Sequence, residues 1–153
     1  LGGYEFSVFA LGRRHTCGLT TGGVPACCGD NSLGQVGDGS GTRRETPILV
    51  GINDTLSGLS AGATHSCALA AGGFVYCWGD NSKGQLGDGT TNGANEPREL
   101  PTGLTMTGLA AGENHTCGID DQGRAWCWGD GDKGQLGSGR APETSPVEVI
   151  VTP

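Results

Sequence analysis

One motif occurs three times in this chain at a spacing of fifty residues, and that period constrains the fold more than any other property of the sequence. The copies read HTCGLTTGGVPACCGDNSLGQVGDG from His15, HSCALAAGGFVYCWGDNSKGQLGDG from His65 and HTCGIDDQGRAWCWGDGDKGQLGSG from His115, aligned without a gap. Self-similarity at such a period marks an array of supersecondary units, each burying its apolar face against the next.

The register of a β-hairpin can be worked out inside one unit. In HSCAL, alternation puts His65, Cys67 and Leu69 on one face and Ser66 and Ala68 on the other. The run FVYCW at 74–78 is rich in aromatic and β-branched residues and reads as a second strand. If Cys67 opposes Cys77, Leu69 faces Val75 and Ala70 faces Phe74, which leaves Ala71-Gly72-Gly73 as a three-residue loop. The other units give Thr21-Gly22-Gly23 and Asp121-Gln122-Gly123. Such a loop wants a left-handed residue at its third position, and glycine stands there each time.

Directly opposed residues in a non-hydrogen-bonded pair have Cα atoms about 4.5 Å apart, within reach of a disulfide. Cys17–Cys27, Cys67–Cys77 and Cys117–Cys127 are therefore expected as cross-strand disulfides, one per hairpin. Each is worth about 2–3 kcal/mol, and three of them imply an oxidising compartment: secreted, periplasmic or cell surface. A zinc site from His65, Cys67 and Cys77 competes with this reading but lacks the C-x₂-C spacing of structural zinc. The same register sets His65 opposite Gly79, where a ring packed over a glycine accounts for it. A Cys–His nucleophilic pair would put three copies of one active site in a short chain. No metal, no cofactor and no catalytic constellation are expected.

The segment WGDNSKGQLGDGT at 78–90 and its relatives supply glycine, aspartate and asparagine for positive φ and side-chain-to-backbone hydrogen bonds, the chemistry of tight turns. DGD at 130–132 hints at calcium, yet no glutamate follows at EF-hand spacing. Each unit closes on an apolar segment after Pro47, Pro97 or Pro146, with the proline expected to start the strand.

A net charge of −7 argues against nucleic acid as a partner. No apolar run approaches transmembrane length. No leader peptide is visible and the chain starts at Leu1, so it reads as mature or trimmed. Residues 1–50 net zero, 51–100 net −3 and 101–153 net −4, because Arg13, Arg14, Arg43 and Arg44 balance the acids of the first unit. This is either scatter among solvated residues or a polar array whose first unit meets the last unit of a neighbour.

The pattern A-G-x-x-H-[ST]-C-A-L … G-x-x-Y-C-W-G-D-N-x-x-G-Q-L-G-D-G … P, matched throughout 61–97, resembles the repeat of the regulator of chromosome condensation family. The cysteine-paired version is similar to its secreted bacterial branch. The resemblance covers essentially the whole chain and implies a β-propeller, roughly one four-stranded blade per repeat, acting by protein–protein contact rather than chemistry. Guanine-nucleotide exchange and chromatin binding, known for the nuclear member, are not carried over, because the acidic charge and paired cysteines speak against them. Repeat 1 departs from the pattern: Ala26 replaces Tyr76 and Trp126, Cys28 replaces Trp78 and Trp128, and Val36 replaces Leu86 and Leu136. Cys28, the odd seventh cysteine, lies on the opposite strand face from Cys27. It is either a small residue in a tryptophan slot, an intermolecular disulfide, or part of a reshaped docking site.

Propellers close with four to eight blades, so three leave two open flanks. The expected resolutions are a longer propeller, a six-bladed ring of two chains, or a head-to-tail filament. The expectation is an all-β array of three propeller-type blades, a degenerate one at 1–50 and two more at 51–100 and 101–153. Its expected role is a secreted or surface-displayed, non-enzymatic binding or scaffolding module; the alternative is a self-assembling subunit of an extracellular filament or ring. Partners are then a protein or copies of itself, with Arg13, Arg14, Cys28, Arg43 and Arg44 as interface candidates. Sequons at Asn53 and Asn114 offer glycosylation sites.

Overall fold

The computed structural model describes residues 3–139 and 142–151. Twelve strands make up three antiparallel four-stranded sheets in simple chain order. The first holds β1 (Phe6–Leu11), β2 (His15–Thr20), β3 (Pro25–Gly29) and β4 (Arg44–Leu49). The second holds β5 (Leu56–Ala61), β6 (His65–Ala70), β7 (Val75–Gly79) and β8 (Ala94–Glu99). The third holds β9 (Met106–Ala111), β10 (His115–Asp120), β11 (Ala125–Gly129) and β12 (Glu143–Glu148). Among the described residues no helix is long and apolar enough to cross a membrane.

The central hairpins have the expected register. Cys67 pairs with Cys77, Leu69 with Val75 and His65 with Gly79, and the other blades repeat this alignment. The loop glycines Gly23, Gly73 and Gly123 have φ of 77°, 86° and 78°. The left-handed region favours glycine because it has no Cβ. Each hairpin carries its disulfide, with Cα atoms 4.1 Å apart in all three. With both thiols of each pair oxidised, the zinc alternative at His65, Cys67 and Cys77 loses its sulfur ligands.

Two local expectations are corrected. The outermost strands begin at Arg44, Ala94 and Glu143, three residues before Pro47, Pro97 and Pro146. The prolines sit where the ladder slips, between Cys27↔Ile48 and Gly29↔Arg44 in the first blade, on an edge strand where a missing N–H costs no ladder bond. The His65 ring does not pack over Gly79. It lies on Gly62, where an added Cβ would come within 2.1 Å of Cε1, while Gly79 has φ 105° and its Cα side faces the main chain at Thr64 and His65. Gly12 and Gly112 hold the same place under His15 and His115.

In the first two blades the turn after the hairpin is built around a buried asparagine. Asn81 Nδ2 donates to Asp88 and to the carbonyls of Thr90 and Asn92, and its Oδ1 accepts the Leu86 N–H. Asn31 repeats this in the first blade. Gly131 and Ser138 stand at the equivalent places in the third blade, so the asparagine–aspartate bridge is missing there.

The apolar core lies between the sheets rather than within any one of them. One face of the first blade (Cys17, Leu19, Cys27, Val36, Val50) packs on the opposing face of the second (Leu56, Ala68, Ala70, Trp78). The second packs on the third likewise, with Leu69, Leu86 and Leu100 against Met106 and Trp128. The innermost strands β1, β5 and β9 lie side by side. Main-chain bonds from Arg13 N–H to the Ala63 carbonyl and from Ala63 N–H to the Glu113 carbonyl stitch them together.

Candidate functional site

Every blade has a trailing face that receives the next blade and a leading face that docks on the one before. At the seam between blades 1 and 2, Trp78 Nε1 donates to the Gln35 carbonyl at 3.0 Å and Ser66 Oγ donates to the same oxygen at 2.9 Å. Both lone pairs of that carbonyl are thereby used. The Ser66 hydroxyl has one proton, already given to Gln35, so the 2.8 Å contact from His15 Nε2 must carry its hydrogen on the imidazole. The tautomer is fixed by this count: Nε2 is protonated and Nδ1 is left as a buried nitrogen without a partner.

The seam between blades 2 and 3 repeats the arrangement atom for atom. Trp128 Nε1 donates to the Gln85 carbonyl at 2.9 Å, Thr116 Oγ1 to the same oxygen at 3.0 Å, and His65 Nε2 to Thr116 Oγ1 at 2.9 Å. Each tryptophan lies flat over a glycine of the preceding turn, Gly37 or Gly87, where a Cβ would come within 2.6 or 2.7 Å of the indole nitrogen. Burial lowers the His65 pKa to about 4, with a further push from His15, while Asp80 works in the opposite direction. Burial lowers that of His15 too, opposed by Asp30. Both rings are therefore neutral latches rather than acid–base groups near neutral pH.

The two ends of the array present the two halves of this latch. Blade 3 carries His115, Gln135 and Gly137 on its trailing flank, and among the described residues no hydroxyl meets the His115 ring. Ile119 is 50% exposed there and Val149 half-buried, against 3% for Leu19 and 1% for Val50 at the filled seam. Blade 1 carries Thr16 and Cys28 on its leading flank, with Phe9 and Leu11 61% and 72% exposed nearby. Phe6 and Phe9, with ring centroids 5.2 Å apart, cover Gly18 where blade 2 has Ala68.

Four of the five candidate interface residues come together. Arg14, Cys28, Arg43 and Arg44 line one open cleft with Asp30 and Glu45. Arg13 lies beside it, in a smaller hollow shared with Arg14, Asp30, Ala63 and Thr64. Arg44 is committed to Asp38, a carboxylate that burial would push up but that Ser40, Arg44 and Asn31 together hold at about 2. Arg43 pairs with Glu45 at the surface. Among the described residues Arg13 and Arg14 have no such salt bridge, and Cys28 is the only free cysteine. The latch itself had escaped sequence reasoning. Its only signal was the joint recurrence of His, Ser or Thr, Gln and Trp in each unit.

A family model described as the Regulator of chromosome condensation (RCC1) repeat matches residues 72–119 and 122–153, and a second model of that repeat matches 57–85 and 107–135. Among solved structures, human WBSCR16 superimposes with a TM-score of 0.88 at 23% identity, covering 97% of this chain and 38% of that one. Prp20p from Saccharomyces cerevisiae, described with its binding properties to Gsp1p and histones, gives 0.87 at 23% identity over 97% and 39%. Yeast RCC1 (Prp20) bound to Kap60 gives 0.86 at 22% over 97% and 37%. The chain spans under two fifths of the length of these structures. No curated protein matches.

Proposed function

Because the chain belongs to the regulator of chromosome condensation repeat family, a fold of β-propeller blades that typically serves protein interaction, we propose that it is a non-enzymatic binding or scaffolding module displayed outside the cell. The observation that carries this is where the polar side chains go. His15, His65, Asn31, Asn81, Ser66 and Thr116 are all buried and bonded within seams and turns. What remains at the surface is contact area: the two flanks and the arginine-lined cleft at Arg14 and Arg43. The family relatives act on this footing too, since Prp20p is described by its binding to Gsp1p and histones. Three paired hairpins favour an oxidising compartment, in keeping with the secreted, cysteine-paired form of the repeat.

Cross-linking with mass spectrometry on the protein in its native source tests the reading. Cross-links from the flanks or the Arg14 cleft to another protein support it, as does recovery of three disulfides with a free Cys28. Fully reduced cysteines would overturn the extracellular assignment, and the absence of any protein cross-link would overturn the binding role.

A second reading, a self-assembling subunit of a filament or ring, is favoured by the complementary halves of a latch at opposite ends of one chain. A leading face that fits a trailing face is a heterologous contact, which either closes a ring or propagates.

A further inference from the structure

Shifting the two existing seams by one repeat gives a third seam whose two sides are the trailing flank of blade 3 and the leading flank of blade 1. The hydroxyl that His15 and His65 find on the next blade, Ser66 and Thr116, is present in blade 1 as Thr16. The histidine and the carbonyl it would join are present in blade 3 as His115 and Gln135. Among the described residues neither half has a partner of this kind, so each flank presents half of a latch. We propose that a second copy of this chain docks its first blade on the third blade of its neighbour, with Thr16 of the second copy bridging His115 and the Gln135 carbonyl. The proposal rests on the self-assembly reading and names its contacts.

Charge complementarity supports a second copy over an unrelated partner. At the first seam Asp30 lies across from Ala63 and Thr64 of the next blade. The same offset sets Asp130 across from Arg13 and Arg14 of the second copy, the two arginines without a salt bridge among the described residues. The inner main-chain stitch, which runs from Arg13 to Ala63 and from Ala63 to Glu113, would continue from Glu113 to Arg13 of the second copy and bring a further carboxylate to the arginines. Apolar surface is matched as well: Ile119 and Val149 stand where Leu19 and Val50 receive a leading face, while Phe6 and Phe9 stand where Leu56 and Leu59 dock.

Cys28 makes this seam weaker than the internal ones. Trp78 and Trp128 pack over Gly37 and Gly87, whereas Gly137 is met by Val149 and Cys28 would leave the second lone pair of the Gln135 carbonyl without its indole donor. The contact is thus reversible, in contrast to the fixed contacts within the chain.

Sedimentation velocity on the purified chain over a concentration series, without reductant, tests the seam. The wild type is expected to associate with concentration, and more weakly at higher salt. Thr16→Val keeps the shape but removes the bridging hydroxyl, and should weaken association by about tenfold. Arg13→Glu with Arg14→Glu should weaken it further. Cys28→Trp should tighten it by about tenfold or more, restoring the indole seen at the other seams. Thr16 and Cys28 are on the leading flank and the arginine side chains are exposed, so circular dichroism should be unchanged. If neither the wild type nor Cys28→Trp associates at any concentration, self-assembly and the seam both fail. If the wild type associates but Thr16→Val and the arginine variants do so equally well, self-assembly stands and this seam is overturned.

Discussion

His65 and Thr116 are 51 residues apart in the chain and 2.9 Å apart in space, Nε2 to Oγ1, across the boundary between two sheets. The bond is fully buried and oriented by a single proton count, so each blade holds its neighbour through a neutral histidine. This has consequences for stability that can be measured.

The first concerns pH. Burial holds the His65 pKa at about 4 against an ordinary 6.5. Between those values the unfolded chain takes up a proton that the folded chain refuses. The His65 contribution to stability is therefore complete above about pH 6.5, falls as pH drops toward 4, and levels off below. His65 alone accounts for about 3 kcal/mol of this, and His15 acts in the same direction. Asp38 and Asp120, held at about 2, add their loss only below about pH 4. Urea midpoints at pH 7.5, 5.5 and 4.5 should fall in that order, and equal midpoints would refute the neutral latch.

Tryptophan substitution separates packing from hydrogen bonding at the same seam. Trp78→Ala removes a side chain with no solvent exposure and should cost about 3–5 kcal/mol. Trp78→Phe keeps most of the volume but leaves the Gln35 carbonyl with one donor, and should cost about 1–2 kcal/mol beyond the lost volume. Denaturant unfolding reads both. Equal losses would mean that the indole N–H contributes most of the effect.

The disulfides should differ in their rate of reduction. Cys17, Cys27, Cys67 and Cys77 are sealed inside seams at 0–1% exposure, whereas Cys117 faces the open flank and is only partly buried. Thiol–disulfide exchange needs access to a sulfur. Timed alkylation under mild reductant, followed by peptide mass spectrometry, should label Cys117 and Cys127 first. Simultaneous labelling of all six would show that global opening limits access.

The asparagine turn is the fourth test. Asn81→Ala deletes the centre of a bonded network and leaves the Leu86 N–H and two carbonyls without their partner, at a cost of about 2–4 kcal/mol. Blade 3 lacks the asparagine, so its turn should exchange amide hydrogens faster than the turns of blades 1 and 2. Uniform protection across the three turns would count against the network.

Much of the fold was legible in the residues. The hairpin register followed from two cysteines and a glycine whose spacings agree, and the period announced repeated sheets. The innermost strand LSGLSA was not legible, because small residues half-covered on both faces give no alternation. The outer strand began earlier than its proline suggested, since Arg44-Glu45-Thr46 on an edge needs no apolar pattern. The latch stayed hidden for a different reason: its acceptor is a main-chain carbonyl, which leaves no trace in residue type. The arginines and Cys28 stood out in sequence because repeats can be compared with one another, and the structure brings Arg14, Cys28, Arg43 and Arg44 into one cleft.

That carbonyl acceptor at Gln35 and Gln85 also bears on how such a chain can change over generations. Every peptide unit has a carbonyl, and serine and threonine serve equally as the bridge, so a blade does not need to recognise which blade precedes it. Duplicating or deleting one whole repeat would rejoin matching edges and leave both neighbouring contacts intact. The array behaves as a set of interchangeable cassettes, and its length is free to drift while its joints stay the same.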